Sequence, residues 1–307
     1  MSEAIKPSSR FDDLKVLWHL LVRPVRGDTH GERLESFYEG QASHYDSFRA
    51  RLLHGRSELM SWVDFPEDGV WVDFGAGTGH NLFSVEEQSK ALSEVHLVDL
   101  SQSLLKVASE RIEERELKNV TLHHADATKF ELPENSVDVV TFSYSLTMIP
   151  DWFESVLIAR RILKPGGIIA VTDFHVSRKH AAATSRQHGW LRRTFWSLWF
   201  ASDNVYLSSD HLAMLSRQFE TERCDERLGS VPYMPLIKAP YYLFLGRKPT
   251  SLGPTRDDGV VRFELDAVEV LCDGGNDFKV EVVPVSHQLG ADSEVVPVTA
   301  SEFFDVG

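Results

Sequence analysis

The chain has 307 residues, of which 42% are hydrophobic and 25% are charged, enough for one large domain or two small ones with a buried core. Its formal net charge of -14 disfavours nonspecific binding to nucleic acid, which requires a cationic face. Two cysteines, a start that lacks a secretory-signal pattern and the lack of any apolar run of about 20 residues predict an intracellular protein, cytoplasmic or peripheral on a membrane face.

Short β-rich runs alternate with helical stretches upstream of residue 250. This alternation predicts an α/β fold built on a doubly wound, mostly parallel sheet. Asp151 and Glu154 resemble a capping box, and Lys164-Pro165-Gly166-Gly167 predicts the end of the helix that they begin. The predicted strands are Val70–Phe74, Val95–Val98, Val120–His123, Val137–Phe142, Ile168–Asp173, Phe219–Cys224 and Tyr241–Gly246.

A linker signal at Arg247–Pro254 predicts a domain boundary near residue 250. Beyond it, Val261–Asp266 and Phe278–Val282 flank Asp273-Gly274-Gly275-Asn276, which predicts a β-hairpin. The predicted parts are an N-terminal helical cap (1–60), a central domain (61–248) with an insertion near 175–215, and an acidic tail (249–307).

A glycine-rich turn follows the first predicted strand, in the run Val72–Gly79, and predicts a helix that begins at His80 or Asn81. Its Gly-x-Gly-x-Gly spacing differs from the dinucleotide Gly-x-Gly-x-x-Gly, and the preceding Asp73 suits a cationic sulfonium better than a pyrophosphate. Asp99 closes the next strand, where a carboxylate can accept the ribose hydroxyls of an adenosine. These features favour an adenosine-containing sulfonium ligand.

Over residues 69–174 the chain resembles the class I S-adenosylmethionine-dependent methyltransferases. The segments that carry the resemblance are Val72–Gly79, Asp99, His124–Ala127, Ser136–Val140 and Leu163–Gly167. The resemblance implies a seven-stranded Rossmann-like sheet whose last strand is antiparallel. It also implies S-adenosyl-L-methionine as the cofactor. The implied contacts are Asp73, Gly75, Ala76, Gly77 and Gly79 at its methionine part, Asp99 and Leu100 at the ribose, Asp126 and Ala127 at the adenine, and Ser143 at the methyl group. A helix N-cap at Asp126 is an equal alternative.

The residues after the fourth strand bear on the identity of the acceptor. Phe142–Thr147 lacks the Asn/Asp-Pro-Pro-aromatic motif of nucleic-acid methyltransferases of this fold, which favours a lipid or small-molecule acceptor and no nucleic acid. Arg23–Tyr38, Gln41–Asp46 and Ala239–Arg247 look like the methyltransferase half of betaine-lipid synthases, a resemblance over about residues 10–248. It implies methylation of the amine of diacylglyceryl homoserine to diacylglyceryl trimethylhomoserine, with a partner aminocarboxypropyltransferase activity.

Two other functions stay open. One is a small-molecule methyltransferase that acts on a quinone precursor or phosphoethanolamine. The other is a non-catalytic module that binds the cofactor and pairs with another enzyme.

Methyl transfer is an in-line displacement, so the protein chiefly positions the amine lone pair opposite the sulfur and excludes water from the site. No strong base is obligatory. Aromatic faces stabilise a growing ammonium by roughly 0.5–2 kcal/mol, and Tyr45, Tyr144 and Trp190 are candidates, with packing against the sheet as an equal alternative. His175 could accept the amine proton, although a structural histidine is the favoured interpretation. No metal-ligand motif occurs, so no metal is predicted.

The segment 174–202 carries five cations and no carboxylate among Trp and Phe residues. This composition is typical of peripheral membrane contact, or of a lid whose aromatic side chains cover the core.

Overall fold

The structure, a computed structural model, describes residues 52–180, 186–201, 205–232 and 234–250, and four short strands between 256 and 284. The chain divides into two compact units, Met1–Lys248 and Pro249–Gly307. Of the helical cap predicted over residues 1–60, residues 1–51 lie outside the described part of the chain.

The first unit is built on a seven-stranded sheet with the order β3-β2-β1-β4-β5-β7-β6. Strands β1 to β5 pair in parallel, and β7 runs antiparallel to both β5 and β6. The predicted fold class is therefore confirmed. The strands are β1 Val70–Phe74, β2 Glu94–Asp99, β3 Val120–His124, β4 Val137–Ser143, β5 Leu163–Phe174, β6 Glu220–Val231 and β7 Met234–Arg247.

Helices of the first unit lie between these strands. α5 begins and ends where the sequence predicts, but the side chain of Asp151 makes no capping hydrogen bond; the amide of Glu154 donates instead to the Asp151 carbonyl at 3.0 Å. The predicted capping box is thus wrong. The described helices are α1 Arg56–Trp62, α2 His80–Ser84, α3 Glu86–Ser89, α4 Gln102–Glu114, α5 Trp152–Ile162, α6 Trp190–Ala201 and α7 His211–Gln218, with a 3-10 turn at Leu146–Met148.

Alternate strand residues face two separate hydrophobic clusters, one on each side of the sheet. In β1, Trp71 belongs to the first cluster and Val72 to the second, and both are fully buried. Helices α1 and α6 contribute to the first cluster, whereas α5 and α7 contribute to the second. Helices therefore cover both faces of the sheet, as a mostly parallel sheet requires. Each fully buried large apolar side chain in these clusters stabilises the fold by about 1.5–3 kcal/mol.

The second unit contains a four-stranded antiparallel sheet with the order β11-β10-β9-β8. Its strands are β8 Arg256–Asp257, β9 Val260–Leu265, β10 Val268–Asp273 and β11 Val280–Pro284. The predicted hairpin between Val261–Asp266 and Phe278–Val282 is wrong, because β10 lies between these segments and pairs with both. Residues 268–272, Val-Glu-Val-Leu-Cys, are mostly apolar and form this strand, so the Asp-Gly-Gly-Asn run begins at the last residue of β10 and not after β9.

A buried chain of hydrogen bonds ties β1 to β4. The indole nitrogen of Trp71 donates to the Thr141 hydroxyl at 2.9 Å, and that hydroxyl donates to Asp73 Oδ1 at 2.6 Å. All three side chains are fully buried. Thr141 is therefore the acceptor for one buried group and the donor for another.

We expect Thr141→Val, which is nearly isosteric, to lower the free energy of unfolding by about 2–4 kcal/mol, because it leaves the Trp71 donor unsatisfied and removes a bond from a buried carboxyl group. Urea denaturation measures the change. The matched control is Thr121→Val on β3, where the side chain is exposed; its effect should stay within about 0.5 kcal/mol. Equal losses in the two variants would contradict the importance of the chain of hydrogen bonds.

Candidate active site

The glycine-rich turn connects β1 to α2 through a tightly shaped loop. Gly75, Gly77 and Gly79 have φ values of +70°, +56° and +77°, a region that side chains disfavour. At Gly75 a Cβ atom would also lie only 2.3 Å from the Cβ atom of Ser145. The backbone of the loop therefore approaches the turn after β4 as closely as glycine alone permits.

Asp99, at the carboxyl end of β2, holds this loop. Its Oδ2 accepts the Gly77 amide at 2.7 Å, and its Oδ1 accepts the Ser101 amide at 2.8 Å. Asp99 thus ties the glycine-rich loop to the residue before α4.

A cavity of about 260 Å³ opens where the carboxyl ends of β1 to β4 meet. This edge of a doubly wound sheet is where ligands bind. Seven of the predicted site residues come together in its lining: Gly75, Gly77, Asp99, Leu100, Asp126, Ala127 and Tyr144. The rest of the lining is Val98, Leu104, Ala125, Thr128, Met148, Ile149, Pro150 and Asp151. The cavity thus combines the predicted cofactor residues with the loop that follows β4.

Asp126 shapes the side of the cavity that follows β3. Its Oδ1 accepts the amide and the hydroxyl of Thr128 at 2.9 and 2.7 Å. The residues after it form a turn, with the Lys129 amide bonded to the Asp126 carbonyl, so the alternative of a helix N-cap is not what the structure has.

Asp73 lies behind the loop and is not among the residues that line the cavity. It is fully buried and accepts the Asn81 amide at 3.1 and 3.2 Å as well as the Thr141 hydroxyl. Burial raises the pKa of Asp73 to about 6, although the bonds from Thr141 and Asn81 oppose the shift. In this structure Asp73 supports the base of the loop.

Three other predicted cofactor residues lie close to the cavity without lining it. Ala76 and Ser143 are buried, and Gly79 is the residue before α2. The Ser143 hydroxyl has no hydrogen-bond partner, although its neighbour Tyr144 lines the cavity. Buried polar atoms without partners are rare, and a bound polar ligand would satisfy this one. Tyr45 lies outside the described residues, so its role stays a prediction.

Tyr144 has an unusual backbone conformation for an aromatic residue, with φ of +56°. Its amide donates to the Thr172 carbonyl at 2.7 Å, its hydroxyl donates to the His54 carbonyl at 2.7 Å, and its ring packs edge-on against Phe174 at 4.7 Å. Burial raises the pKa of Tyr144 well above its usual value. The hydroxyl of this cavity residue is therefore engaged by the backbone of His54.

His175 does not line the cavity. It is buried against the rings of His188 and Tyr242, and its Nε2 lies 3.5 Å from Glu226 without forming a hydrogen bond. Burial, together with a smaller effect of the neighbouring His188, lowers the pKa of His175 to about 3. The imidazole is therefore neutral and a poor proton acceptor, which favours the structural interpretation.

The sequence analysis missed Asp173, a fully buried carboxyl group at the end of β5. Its Oδ1 accepts the Thr147 hydroxyl and the Phe174 amide, both at 2.7 Å, and its Oδ2 accepts the Thr147 amide at 3.0 Å. Asp173 thereby holds the 3-10 turn that supplies Met148 to the cavity. Its position at a strand end, like that of Asp99, was the available signal.

Comparisons with known proteins agree with this architecture. Residues 67–205 match the family described as "Methyltransferase domain". A demethylmenaquinone methyltransferase of Geobacillus stearothermophilus is 32% identical over 143 residues, which are 45% of this chain and 61% of that protein. One of Listeria monocytogenes serotype 4b is 30% identical over 151 residues, 48% of this chain and 64% of that protein. The chain therefore spans less than two thirds of the length of these relatives.

Solved structures share the fold at low sequence identity. The YcgJ protein of Bacillus subtilis has a TM-score of 0.53 at 18% identity, covering 64% of this chain and 99% of that one. Phosphoethanolamine N-methyltransferase 2 of Haemonchus contortus, in complex with S-adenosyl-L-methionine, has a TM-score of 0.56 at 16% identity. The match covers 74% of this chain and 61% of that one.

Residues 67–205, less than half of the chain, match a methyltransferase domain, and the strand order and the cavity of this part agree with that match. The match supports the predicted class of enzyme and S-adenosyl-L-methionine as the predicted cofactor. Within the described ranges, every helix is too short or too polar to cross a membrane.

We expect Asp99→Ala to weaken the binding of S-adenosylhomocysteine by about 1–3 kcal/mol, because the substitution removes a charged acceptor from the cavity and releases the Gly77 amide. Isothermal titration measures the affinity. Glu94→Ala, at the other end of the same strand, is the control and should leave the affinity unchanged. An unchanged affinity in Asp99→Ala would contradict the prediction that Asp99 binds the ligand.

Asp173 makes stability depend on pH, since burial raises its pKa to about 7 from an ordinary value of 3.8. A carboxyl group whose pKa is higher in the folded state stabilises the fold below about pH 4, and this stabilisation is lost as the pH rises through about 7. We therefore expect Asp173→Asn to cost more unfolding free energy at pH 5 than at pH 8. Urea denaturation across this range tests the sign, and a cost that increased with pH would contradict it.

Proposed function

We propose that this protein transfers methyl groups from S-adenosylmethionine to the amine nitrogen of a lipid, diacylglyceryl homoserine, and so makes diacylglyceryl trimethylhomoserine. The observation that carries the methyl-transfer part is the cavity, whose lining includes the glycine loop, Asp99, Asp126 and Tyr144. Cofactor residues and acceptor-side residues thus share one space at the carboxyl edge of the sheet.

The residues fit the cofactor. Gly75 and Gly77 would hold its methionine part, Asp99 its ribose and Asp126 its adenine, and the unpartnered Ser143 hydroxyl agrees with a polar ligand nearby. When bound, the cofactor supplies an activated methyl group on a cationic sulfur.

The chain's own contribution is positioning. The turn fixed by Asp173 and the strained backbone at Tyr144 set the acceptor side of the cavity. The Tyr144 ring offers a π face to the nitrogen as its positive charge grows, worth roughly 0.5–2 kcal/mol. The amine must lose its proton to solvent before it attacks, because only the free lone pair can displace the sulfur. The displacement itself then requires no base in the cavity.

Support for the lipid acceptor comes from the sequence. The resemblance to the methyltransferase half of betaine-lipid synthases covers about residues 10–248, and the acidic chain lacks the motif of nucleic-acid methyltransferases. In this proposal a partner aminocarboxypropyltransferase activity would supply the aminocarboxypropyl group.

A second candidate is methylation of a quinone precursor at a ring carbon. The 32% identity to demethylmenaquinone methyltransferase over 143 residues favours it. The two reactions share the cofactor cavity and differ in the acceptor atom, so the cavity geometry is compatible with both.

The test is an assay of the purified full chain with methyl-labelled S-adenosylmethionine and a mixed dispersion of diacylglyceryl homoserine, phosphatidylethanolamine and demethylmenaquinone. Products are resolved by mass. We expect one to three methyl groups on the homoserine lipid alone. The control is Gly77→Arg, which places a long side chain in the cofactor space and should abolish all labelling.

Label on the quinone would support the second candidate and overturn the lipid proposal. No label on any acceptor, with cofactor binding intact, would overturn both in favour of a non-catalytic cofactor-binding module. Labelling that persists in Gly77→Arg would overturn the cavity as the site of the reaction.

A further inference from the structure

Helix α6 has apolar side chains on two opposite faces. Trp196 and Phe200 are buried in the first hydrophobic cluster. Leu191, Phe195 and Leu198 follow one another at spacings of four and three residues and are 74%, 39% and 70% exposed. A spacing of this kind places the three side chains on one stripe of the helix, away from the buried face.

This outer stripe is long and contiguous for a surface helix. Single exposed apolar side chains are ordinary on protein surfaces, whereas a contiguous patch marks an interaction site. Trp190, at the start of the same helix, is 68% exposed and extends the apolar surface. An outer apolar face of this kind requires a partner.

The sequence around the stripe is rich in cations. Arg192 is exposed next to Leu191, and Lys179 and Arg186 are exposed in the segment that leads to the helix. Arg178 is engaged by Asp210 at 2.6 Å, so it adds less to this surface. Between residues 174 and 202 the sequence contains no carboxylate, although the whole chain carries a net charge of -14. The local charge is therefore opposite to that of the protein.

We propose that the outer face of α6, formed by Trp190, Leu191, Phe195 and Leu198 with Arg192, is a surface that binds lipid bilayers containing anionic phospholipids. Leucine and aromatic side chains lie at headgroup depth in interfacial helices, and flanking arginines pair with lipid phosphates. A second copy of the chain fits less well, since a twofold contact through this face would bring its own cations together.

The position of α6 connects this surface to the cavity. Phe200 packs on Phe174 with ring centroids 4.4 Å apart, and Phe174 packs on the cavity residue Tyr144 at 4.7 Å. The amide of Tyr206 donates to the Thr147 carbonyl in the turn held by Asp173. A bilayer against α6 would thus lie next to the acceptor side of the cavity.

Flotation of the full chain with vesicles tests the proposal without cofactor or acceptor, so its outcome is independent of the proposed reaction. One set of vesicles is phosphatidylcholine alone, and the other is equal parts phosphatidylcholine and phosphatidylglycerol. We expect binding to the mixed vesicles that weakens with added salt. The double variant Leu191→Ser with Leu198→Ser should lower the partition coefficient about tenfold, because both side chains lose apolar burial in the bilayer.

Matched controls lie on the opposite side of the sheet. Phe153 and Leu157 on α5 are 47% and 39% exposed, and Phe153→Ser with Leu157→Ser removes the same number of exposed apolar groups. This variant should bind as the wild type does. For charge, Arg192→Glu should weaken binding to the anionic vesicles, whereas Arg217→Glu on α7 should not.

Equal losses in the two double variants would overturn the proposal, as would equal binding of the wild type to both kinds of vesicle. Absence of vesicle binding would also overturn it. If sedimentation then shows a dimer that Leu191→Ser with Leu198→Ser dissociates, the face is an interface between two copies. Thermal unfolding of each variant verifies that the fold is retained.

Discussion

The burial of Asp73 is the constraint on which the site is built. A carboxyl group with no exposed surface is costly to bury unless it is hydrogen-bonded, and here it receives bonds from Asn81 on α2 and Thr141 on β4. These bonds connect the end of β1 to the neighbouring strand and to the helix after the loop. The loop between Phe74 and His80 is consequently held at both ends, and Gly75 and Gly77 are presented to the cavity by a rigid base.

A second buried carboxyl group, Asp173, has the same relation to the acceptor side. It holds Thr147 by side chain and backbone, and the turn that begins there leads to Met148 at the cavity. In both cases burial raises the pKa towards neutrality, because loss of solvation outweighs the hydrogen bonds that favour the charged form. The strands on which these groups lie, β1 and β5, flank β4, and Tyr144 follows β4 directly between them. Two polar contacts in the core therefore locate the loops that a methyl donor and an acceptor must reach.

The sequence predicted those parts of the fold that depend on local pattern. β1 begins and ends at the predicted residues Val70 and Phe74, α2 begins at the predicted His80, and Asp99 lies beside the glycine loop as its spacing suggested. The role of Asp173 could not be predicted, because its partner Thr147 is 26 residues away and no short motif links them.

Pairing with neighbouring strands determines the length of β6 and the formation of β10. β6 extends to Val231 through hydrogen bonds with β7, although its polar side chains show little alternation. In the tail, β10 is a strand because it pairs on both sides, so the Asp-Gly-Gly-Asn signal belongs to a different connection from the one predicted. Local pattern indicates where a strand can form, whereas the neighbour that supplies its hydrogen bonds determines its length and its place in the sheet.

The two interpretations of the segment 174–202, a lid over the core and a membrane contact, are not exclusive. A helix turns by about 100° per residue, so α6 can bury Trp196 and Phe200 while Leu191 and Leu198 face outward. The inward rings pack through Phe174 towards Tyr144, and the outward leucines form the proposed bilayer surface. A lipid amine is water-exposed while its acyl chains stay in the membrane, so an enzyme that methylates it must bring a dry cavity to the headgroup. One helix that is apolar on both faces meets that requirement, because the same element that closes the protein core would rest on the bilayer.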